Sequence, residues 1–217
     1  YYMIKVKICG ITNEKDAFKA IELGVSALGF IFYTKSPRYI PPVKASDIIN
    51  NLPPFVNKVG VFVNMNIPGI LAIIKKAGLS SVQLHGDETP EYCYELNSIT
   101  SIPIIKAFRI KDKTSLSKIS DYRHSISAVL LDTFRDEYYG GTGEIFNWNL
   151  LKALEKYEKP IILSGGLNHQ NIEEAYLKII PYAFDFNSGL EISPGIKDHY
   201  KMEMLFKKIE ELQKKAL

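Results

Sequence analysis

Cysteine is scarce in this sequence, because only Cys9 and Cys93 occur among 217 residues and no CxxC spacing joins them. So few cysteines argue against a disulfide framework and against a zinc site, and they fit a reducing, cytoplasmic setting. No apolar run approaches the roughly 18 residues that a membrane helix needs. The N-terminus also lacks the layout of a signal peptide. We therefore expect a cytoplasmic protein with no membrane partner and no metal site.

The sequence also lacks internal boundaries. No stretch rich in Pro, Gly and Ser divides it, and we expect a single domain over residues 3–217. The net charge of +3 comes from scattered lysines rather than from a clustered basic stripe, which argues against a nucleic-acid partner. A hydrophobic content of 46% is typical of a globular protein with a sizeable core. The sequence favours neither a monomer nor a homodimer.

Apolar runs alternate with amphipathic stretches along the chain. Runs rich in Val, Ile and Phe predict strands at 4–8, 26–32, 58–63, 81–85, 102–108, 127–132, 159–164 and 182–186. Helices are predicted between them, at 13–24, 68–78, 89–97, 147–157 and 168–179. Strictly alternating apolar strands and helices predict an α/β fold, the closed (β/α)8 TIM barrel. An open doubly wound sheet is the alternative, but it would want a Gly-rich fingerprint after the first strand, where this chain has CGIT.

In such a barrel the functional side chains lie at the C-terminal ends of the strands. Gln83 and His85 share one face of the fourth strand, and Asp185 lies at the end of the eighth. A long loop after the sixth strand contains GGTG, with Gly141, and can hinge a lid. We expect these four residues to contact the substrate.

Paired small residues follow the seventh and eighth strands. They are Gly165 and Gly166 in SGGL, and Ser188 and Gly189 in NSGLE. Many barrels hold a phosphate at this place by backbone N–H groups, although glycine also permits ordinary tight turns. The predicted ligand is a phosphorylated small molecule. The segment SPGIKDHY behind these loops predicts a short turn before a final helix.

Three more strand-end residues each allow two interpretations. Cys9 is either a buried structural thiol or a base, because a thiol pKa of about 8.5 needs only a modest push to act near neutrality. Asp132 follows four apolar residues and is either a cap or a proton-donating acid. Arg38 is either a surface cation or a planar fork that holds a carboxylate.

The motifs together resemble the phosphoribosylanthranilate isomerase family over essentially the whole chain. They are KICGIT, KSPR, VQLHG, LLDT, GGTG with FNW behind it, LSGGL and NSGLE, in the order of that family. The chain departs from the family pattern at Asn147, where FDW is usual, and at Asn187, where SSG is usual.

This resemblance implies a cofactor-free Amadori rearrangement. N-(5′-phosphoribosyl)anthranilate would become 1-(o-carboxyphenylamino)-1-deoxyribulose 5-phosphate. Asp132 would protonate the ribose ring oxygen, Cys9 would remove the C2′ hydrogen, and Arg38 would bind the anthranilate carboxylate. The phosphate loops would correspond to Gly165, Gly166, Ser188 and Gly189.

Two other functions stay open at this point. A ring-closing lyase similar to indole-glycerol-phosphate synthase would share the barrel and the phosphate loops, but it calls for lysine and glutamate at the early strand ends. A catalytically silent barrel that only binds a phosphorylated ligand is disfavoured by the joint presence of Cys9 and Asp132.

Overall fold

Eight parallel strands close into a barrel in which each strand pairs with the next along the chain and β8 pairs with β1. The computed structural model describes residues 3–133 and 157–215. The strands are β1 (Lys5–Ile8), β2 (Ala27–Ile31), β3 (Asn57–Phe62), β4 (Ser81–Leu84), β5 (Ile104–Ile110), β6 (Ala128–Thr133), β7 (Ile161–Leu163) and β8 (Ala183–Phe186). All eight predicted strands are confirmed, and so is the (β/α)8 barrel.

Helices connect the strands in the described residues. They are α1 (Glu14–Glu22), α2 (Pro42–Asn50), α3 (Ile67–Ala77), α4 (Pro90–Ile99), α5 (Lys113–Ser117), α6 (Ile172–Lys178) and α7 (His199–Lys215), and a 3-10 turn follows α5 at Lys118–Tyr122. The predicted helix at 147–157, Asn147 and the GGTG loop with Gly141 lie outside the described residues, apart from Tyr157 at the end of that helix.

Caps set the ends of several helices. The side chains of Asn13, Asn66 and Thr89 accept hydrogen bonds from the first turns of α1, α3 and α4. Asn13 and Thr89 lie at the predicted starts of their helices, whereas α3 begins one residue before the predicted Pro68. Helix α6 begins later than predicted, because the Asn168 side chain accepts from the backbone N–H groups of Gln170 and Asn171 and holds a turn there.

The segment behind β8 differs from the predicted short turn. A 3-10 turn at Ser188–Leu190 leads into an antiparallel pair, β9 (Glu191–Ser193) and β10 (Ile196–Lys197), before α7 begins. Gly195 turns this pair with a φ of 82°. The pair therefore carries two buried charged residues, Glu191 and Lys197, toward the mouth of the barrel.

Alternation along the strands separates two cores. Outward-facing side chains such as Phe30, Phe62 and Phe184 pack against the helices in one large cluster. Inward-facing apolar side chains form a smaller cluster drawn only from strands, with Val59 and Leu130 among its members. Polar side chains on the same inward face therefore lie nearer the C-terminal ends of the strands, where the candidate site is.

Candidate active site

Cys9 lies directly behind the end of β1, with its backbone N–H donating to the Phe186 carbonyl oxygen at 2.8 Å. Its side chain is buried, and it faces inward like Lys7, two residues earlier on the same strand. The Lys7 ammonium donates to both carboxylate oxygens of Asp185 at 2.9 Å and acts on the Cys9 sulfur by its charge. The first strand thus ends in a thiol with an ammonium group beneath it.

The surroundings of Cys9 do not give its thiol the lowered pKa that would favour a base. Burial raises the pKa of Cys9, and Asp185 raises it further, while the Lys7 and Lys197 ammonium groups lower it. Burial prevails because a thiolate in this site loses its water. The two lysines supply the opposing effect, and Asp185 with Cys9 holds the pKa of Lys7 above its ordinary value despite burial.

Two glycines make room for this arrangement. Gly10 has a φ of 75°, and a Cβ there would lie 2.8 Å from Oδ1 of Asn187 and 2.9 Å from Cδ of Arg38. A Cβ on Gly29 of β2 would lie 2.7 Å from the Cys9 sulfur. Gly10 lets the chain turn away behind Cys9, and Gly29 leaves space for the sulfur itself.

Asp132 is buried on the inward face of β6, and its Oδ1 accepts from the Thr133 N–H at 2.8 Å. Nε2 of His85 lies 3.2 Å from Oδ2 of Asp132, but out of line for a hydrogen bond. On the other side of the ring, Nε2 of Gln83 donates to Nδ1 of His85 at 2.9 Å. An amide NH2 only donates, so in the neutral ring Nε2 carries the proton toward Asp132. Two of the predicted substrate-binding residues, Gln83 and His85, are therefore hydrogen-bonded to each other beside the predicted acid.

Within the described ranges, three buried side-chain polar atoms have no hydrogen-bond partner: Nδ1 of His169, and two atoms of the Gln83–His85 pair. The two atoms of this pair are Oε1 of Gln83 and Nε2 of His85. Buried polar groups are nearly always paired, so such atoms at the mouth of a barrel are suited to a polar ligand.

Arg38 is buried and bound to a carboxylate of the protein itself. Its Nε and Nη2 donate to Glu191 at 2.8 to 3.0 Å. Glu191 also accepts from Lys197 Nζ at 2.9 Å, and despite burial Arg38 and Lys197 hold its pKa below the ordinary value. Lys197 also donates to Oδ1 of Asn187 at 3.0 Å. Asn187, one of the two residues that depart from the family pattern, therefore has a defined contact. Glu191 fixes one edge of the guanidinium and leaves Nη1 for another acceptor.

The loops after β7 and β8 pack against each other. A Cβ on Gly189 would overlap the Leu167 carbonyl oxygen, so the second loop approaches the first by backbone contact. Gly165 and Gly166 have φ values of 87° and 66°, and a Cβ on Gly165 would lie 2.9 Å from Oδ1 of Asp132. Ser188 opens the 3-10 turn beside them. The four predicted phosphate-binding residues thus lie in two adjoining loops.

Three residues of this site are absent from the sequence-based prediction. Lys7 lies inside an apolar strand, Glu191 ends the NSGLE motif without a predicted role, and Lys197 lies in SPGIKDHY, which is predicted as a turn. The strand period of two puts Lys7 on the same face as Cys9 and is the one signal that indicates it. Asp185 was predicted from its strand end, but both of its carboxylate oxygens are bound to Lys7.

The described part of the chain contains no group of three or more His, Cys, Asp or Glu side chains that could hold a metal ion. In the same residues, no helix is both long enough and apolar enough to cross a membrane.

The family model for N-(5′-phosphoribosyl)anthranilate (PRA) isomerase matches residues 6–208. The chain belongs to this family. An N-(5′-phosphoribosyl)anthranilate isomerase of Thermotoga neapolitana is 48% identical over 206 residues, covering 95% of this chain and 98% of the relative. One of Geotalea uraniireducens is 46% identical, with the same coverage.

Solved structures of the PRA isomerase family have the same fold. The crystal structure of the Thermotoga maritima enzyme is 41% identical, with a TM-score of 0.89, and covers 96% of this chain and 100% of its own. Another structure of the family, in complex with reduced 1-(o-carboxyphenylamino)-1-deoxyribulose 5-phosphate, is 39% identical, with a TM-score of 0.86 and the same coverage.

Proposed function

We propose that the chain converts N-(5′-phosphoribosyl)anthranilate into 1-(o-carboxyphenylamino)-1-deoxyribulose 5-phosphate, an isomerisation of tryptophan biosynthesis. The match to the PRA isomerase family over residues 6–208 is the observation that carries this proposal. The substrate is a phosphorylated small molecule, and the inward-facing Cys9 and Asp132 at the mouth of the barrel supply a base and an acid.

Asp132 opens the ribose ring. In its protonated form it gives a proton to the ring oxygen as the C1′–O bond breaks, and the anthranilate nitrogen forms a protonated imine with C1′. The carboxylate left behind is stabilised by the Thr133 N–H, which donates to Oδ1 at 2.8 Å. The Nε2 of His85, 3.2 Å from Oδ2, offers a second donor after a small reorientation.

Cys9 then removes the hydrogen from C2′, which the imine has made acidic. The thiolate sulfur accepts the proton, and the electron pair of the C–H bond forms the double bond of an enolamine. Protonation at C1′, with loss of the proton from the 2′-hydroxyl group, converts the enolamine to the ketone.

The remaining residues bind the two ends of the substrate. We assign Nη1 of Arg38 to the anthranilate carboxylate, because Glu191 holds the guanidinium in one orientation. The loops with Gly165, Gly166, Ser188 and Gly189 are assigned to the phosphate. Gln83 and His85 are assigned to the sugar, on the strength of their unpaired polar atoms.

We also infer a cytoplasmic location from the two free thiols. Residues 3–217 are taken as one catalytic domain. One structure of the family is of monomers generated from the dimeric Thermotoga maritima enzyme. A light-scattering mass would decide between monomer and homodimer for this chain.

The test is a conversion followed by carbon-13 NMR. Purified chain is added to phosphoribosylanthranilate labelled at C2′, and the carbinol signal should be replaced by a ketone signal. Binding without conversion would instead indicate a catalytically silent barrel, and failure to bind or convert would reject both functions.

A further inference from the structure

A buried ion pair lies beneath Cys9 and has no place in the proton transfers described above. Lys7 and Asp185 are 3% and 4% exposed, in a part of the barrel where a charged group without a partner is costly. They come from β1 and β8 and are directly opposite each other in the register. Both oxygens of Asp185 accept from Nζ of Lys7 at 2.9 Å. The carboxylate therefore fixes where the ammonium group lies.

That position is next to the sulfur of Cys9. The point at which a Cβ on Gly29 would stand is 2.7 Å from the sulfur and 3.1 Å from Nζ of Lys7. The two atoms thus border the same small space, which a glycine leaves open. An ammonium group at this range interacts strongly with a thiolate when water is excluded.

We propose that Lys7 is a positioning residue for Cys9, whose thiolate it stabilises while Asp185 holds its ammonium group in place. The inference rests on the proposed function, in which Cys9 is the base. Lys7 itself touches neither the sugar nor the phosphate in this role. It acts through the fraction of Cys9 that is thiolate.

Other charged groups face the same sulfur. Lys197 approaches from β10, but its Nζ is already bound to Glu191 at 2.9 Å and to Asn187 at 3.0 Å. The negative charge of Asp185 disfavours the Cys9 thiolate. The charges of Asp132 and His85 affect the pKa of Asp185 rather than that of Cys9. Arg38 faces Lys197. The opposing signs of Lys7 and Asp185 give the proposal its sharpest test.

The experiment measures alkylation of Cys9 by iodoacetamide between pH 6 and 10, with peptide mapping to separate Cys9 from Cys93. Burial raises the pKa of Cys93 to about 12, so it serves as an unreactive internal reference while the chain is folded. Lys7→Met should slow alkylation of Cys9 at pH 8 by tenfold or more, the size of a shift of about one pKa unit. Asp185→Asn should speed it, because the negative charge that faces the thiolate is removed while the amide oxygen still accepts from Lys7. A structural defect would move both variants in the same direction.

A second comparison covers the case in which Lys7→Met alone does not fold. The double variant with Lys7→Met and Asp185→Asn leaves no buried carboxylate without its partner. Its Cys9 should be alkylated at least tenfold more slowly than Cys9 of the Asp185→Asn variant. Lys106→Met is the matched control. Lys106 is equally buried and is paired with Glu88 at 3.1 Å, but it lies on the outward face of β5, and its loss should leave Cys9 alkylation unchanged.

Turnover gives the remaining readout. Lys7→Met should lower kcat by tenfold or more with KM within about twofold, and Lys7→Arg should recover part of kcat. The proposal would be overturned if Lys7→Met left the alkylation rate of Cys9 unchanged, both in the wild-type chain and in the Asp185→Asn variant. If the wild-type chain does not convert phosphoribosylanthranilate, the proposed function fails, while the alkylation comparison still decides the role of Lys7.

Discussion

Gly29→Ala perturbs the position of Cys9 without removing any functional group. The added Cβ would lie 2.7 Å from the Cys9 sulfur and 3.0 Å from the Cys9 Cα. Nonbonded heavy atoms prefer about 3.5 to 4.0 Å, so the sulfur must move by about 1 Å. A misplacement of about 1 Å can cost roughly 100-fold in rate. We therefore expect kcat to fall about 100-fold.

Gly60→Ala is the matched control, because Gly60 lies in the neighbouring strand β3 and its Cβ would press on Leu79 and the Phe62 ring instead. Both substitutions overpack the barrel and should lower the free energy of unfolding by about 1–3 kcal/mol, measured by urea denaturation. Only Gly29→Ala should lose kcat in steady-state assays. A folded Gly29→Ala chain with kcat within about threefold of wild type would refute the placement of Cys9, and an equal loss in Gly60→Ala would attribute the effect to general damage.

Three further predictions concern binding and stability. Arg38→Ala should lower kcat/KM by about 10- to 150-fold, mostly through a higher KM. The loss should be much smaller for a substrate analogue without the carboxylate. The variant also leaves Glu191 without its guanidinium partner, so Tm should fall. Gly189→Ala should push the loops after β7 and β8 apart. Both KM and the inhibition constant of inorganic phosphate should rise by about tenfold or more. Unchanged constants would mean that the loop after β8 does not bind the phosphate. The lysines of α7 hold the pKa of Glu173 at about 2 against an ordinary 4.5. The stability that these ion pairs add to the folded chain is therefore complete above pH 4.5 and is lost as the pH falls through about 2. Calorimetry should find Glu173→Gln less stable than wild type at pH 7 and no different near pH 2.

The sequence predicts the barrel well, because its evidence is local. Each strand is an apolar run of a few residues, and a cap such as Asn66 or Thr89 fixes a helix start within its own turn. The ends of the strands then indicate which side chains share the mouth of the barrel. This ground predicts the places of Cys9, Asp132 and His85, whereas the roles of Cys9 and Asp132 come from the resemblance to the family.

The partners of these side chains come from distant parts of the chain. Asp185 is 178 residues from Lys7, and Glu191 is 153 residues from Arg38. No local pattern predicts such contacts, since they depend on closure of the barrel and on the β9–β10 pair. The direction of the Cys9 pKa shift cannot be read from the sequence for the same reason, because it is a balance between burial and charges that only the folded chain brings together.

The most direct test compares turnover of phosphoribosylanthranilate by the wild-type chain, Cys9→Ala and Asp132→Asn. Each variant removes one proton-transfer group and little binding, so kcat should fall by orders of magnitude while the affinity for a product analogue stays within about threefold. Circular dichroism and thermal melting establish that each variant is folded. Near-normal turnover by either folded variant would contradict its role as the acid or the base.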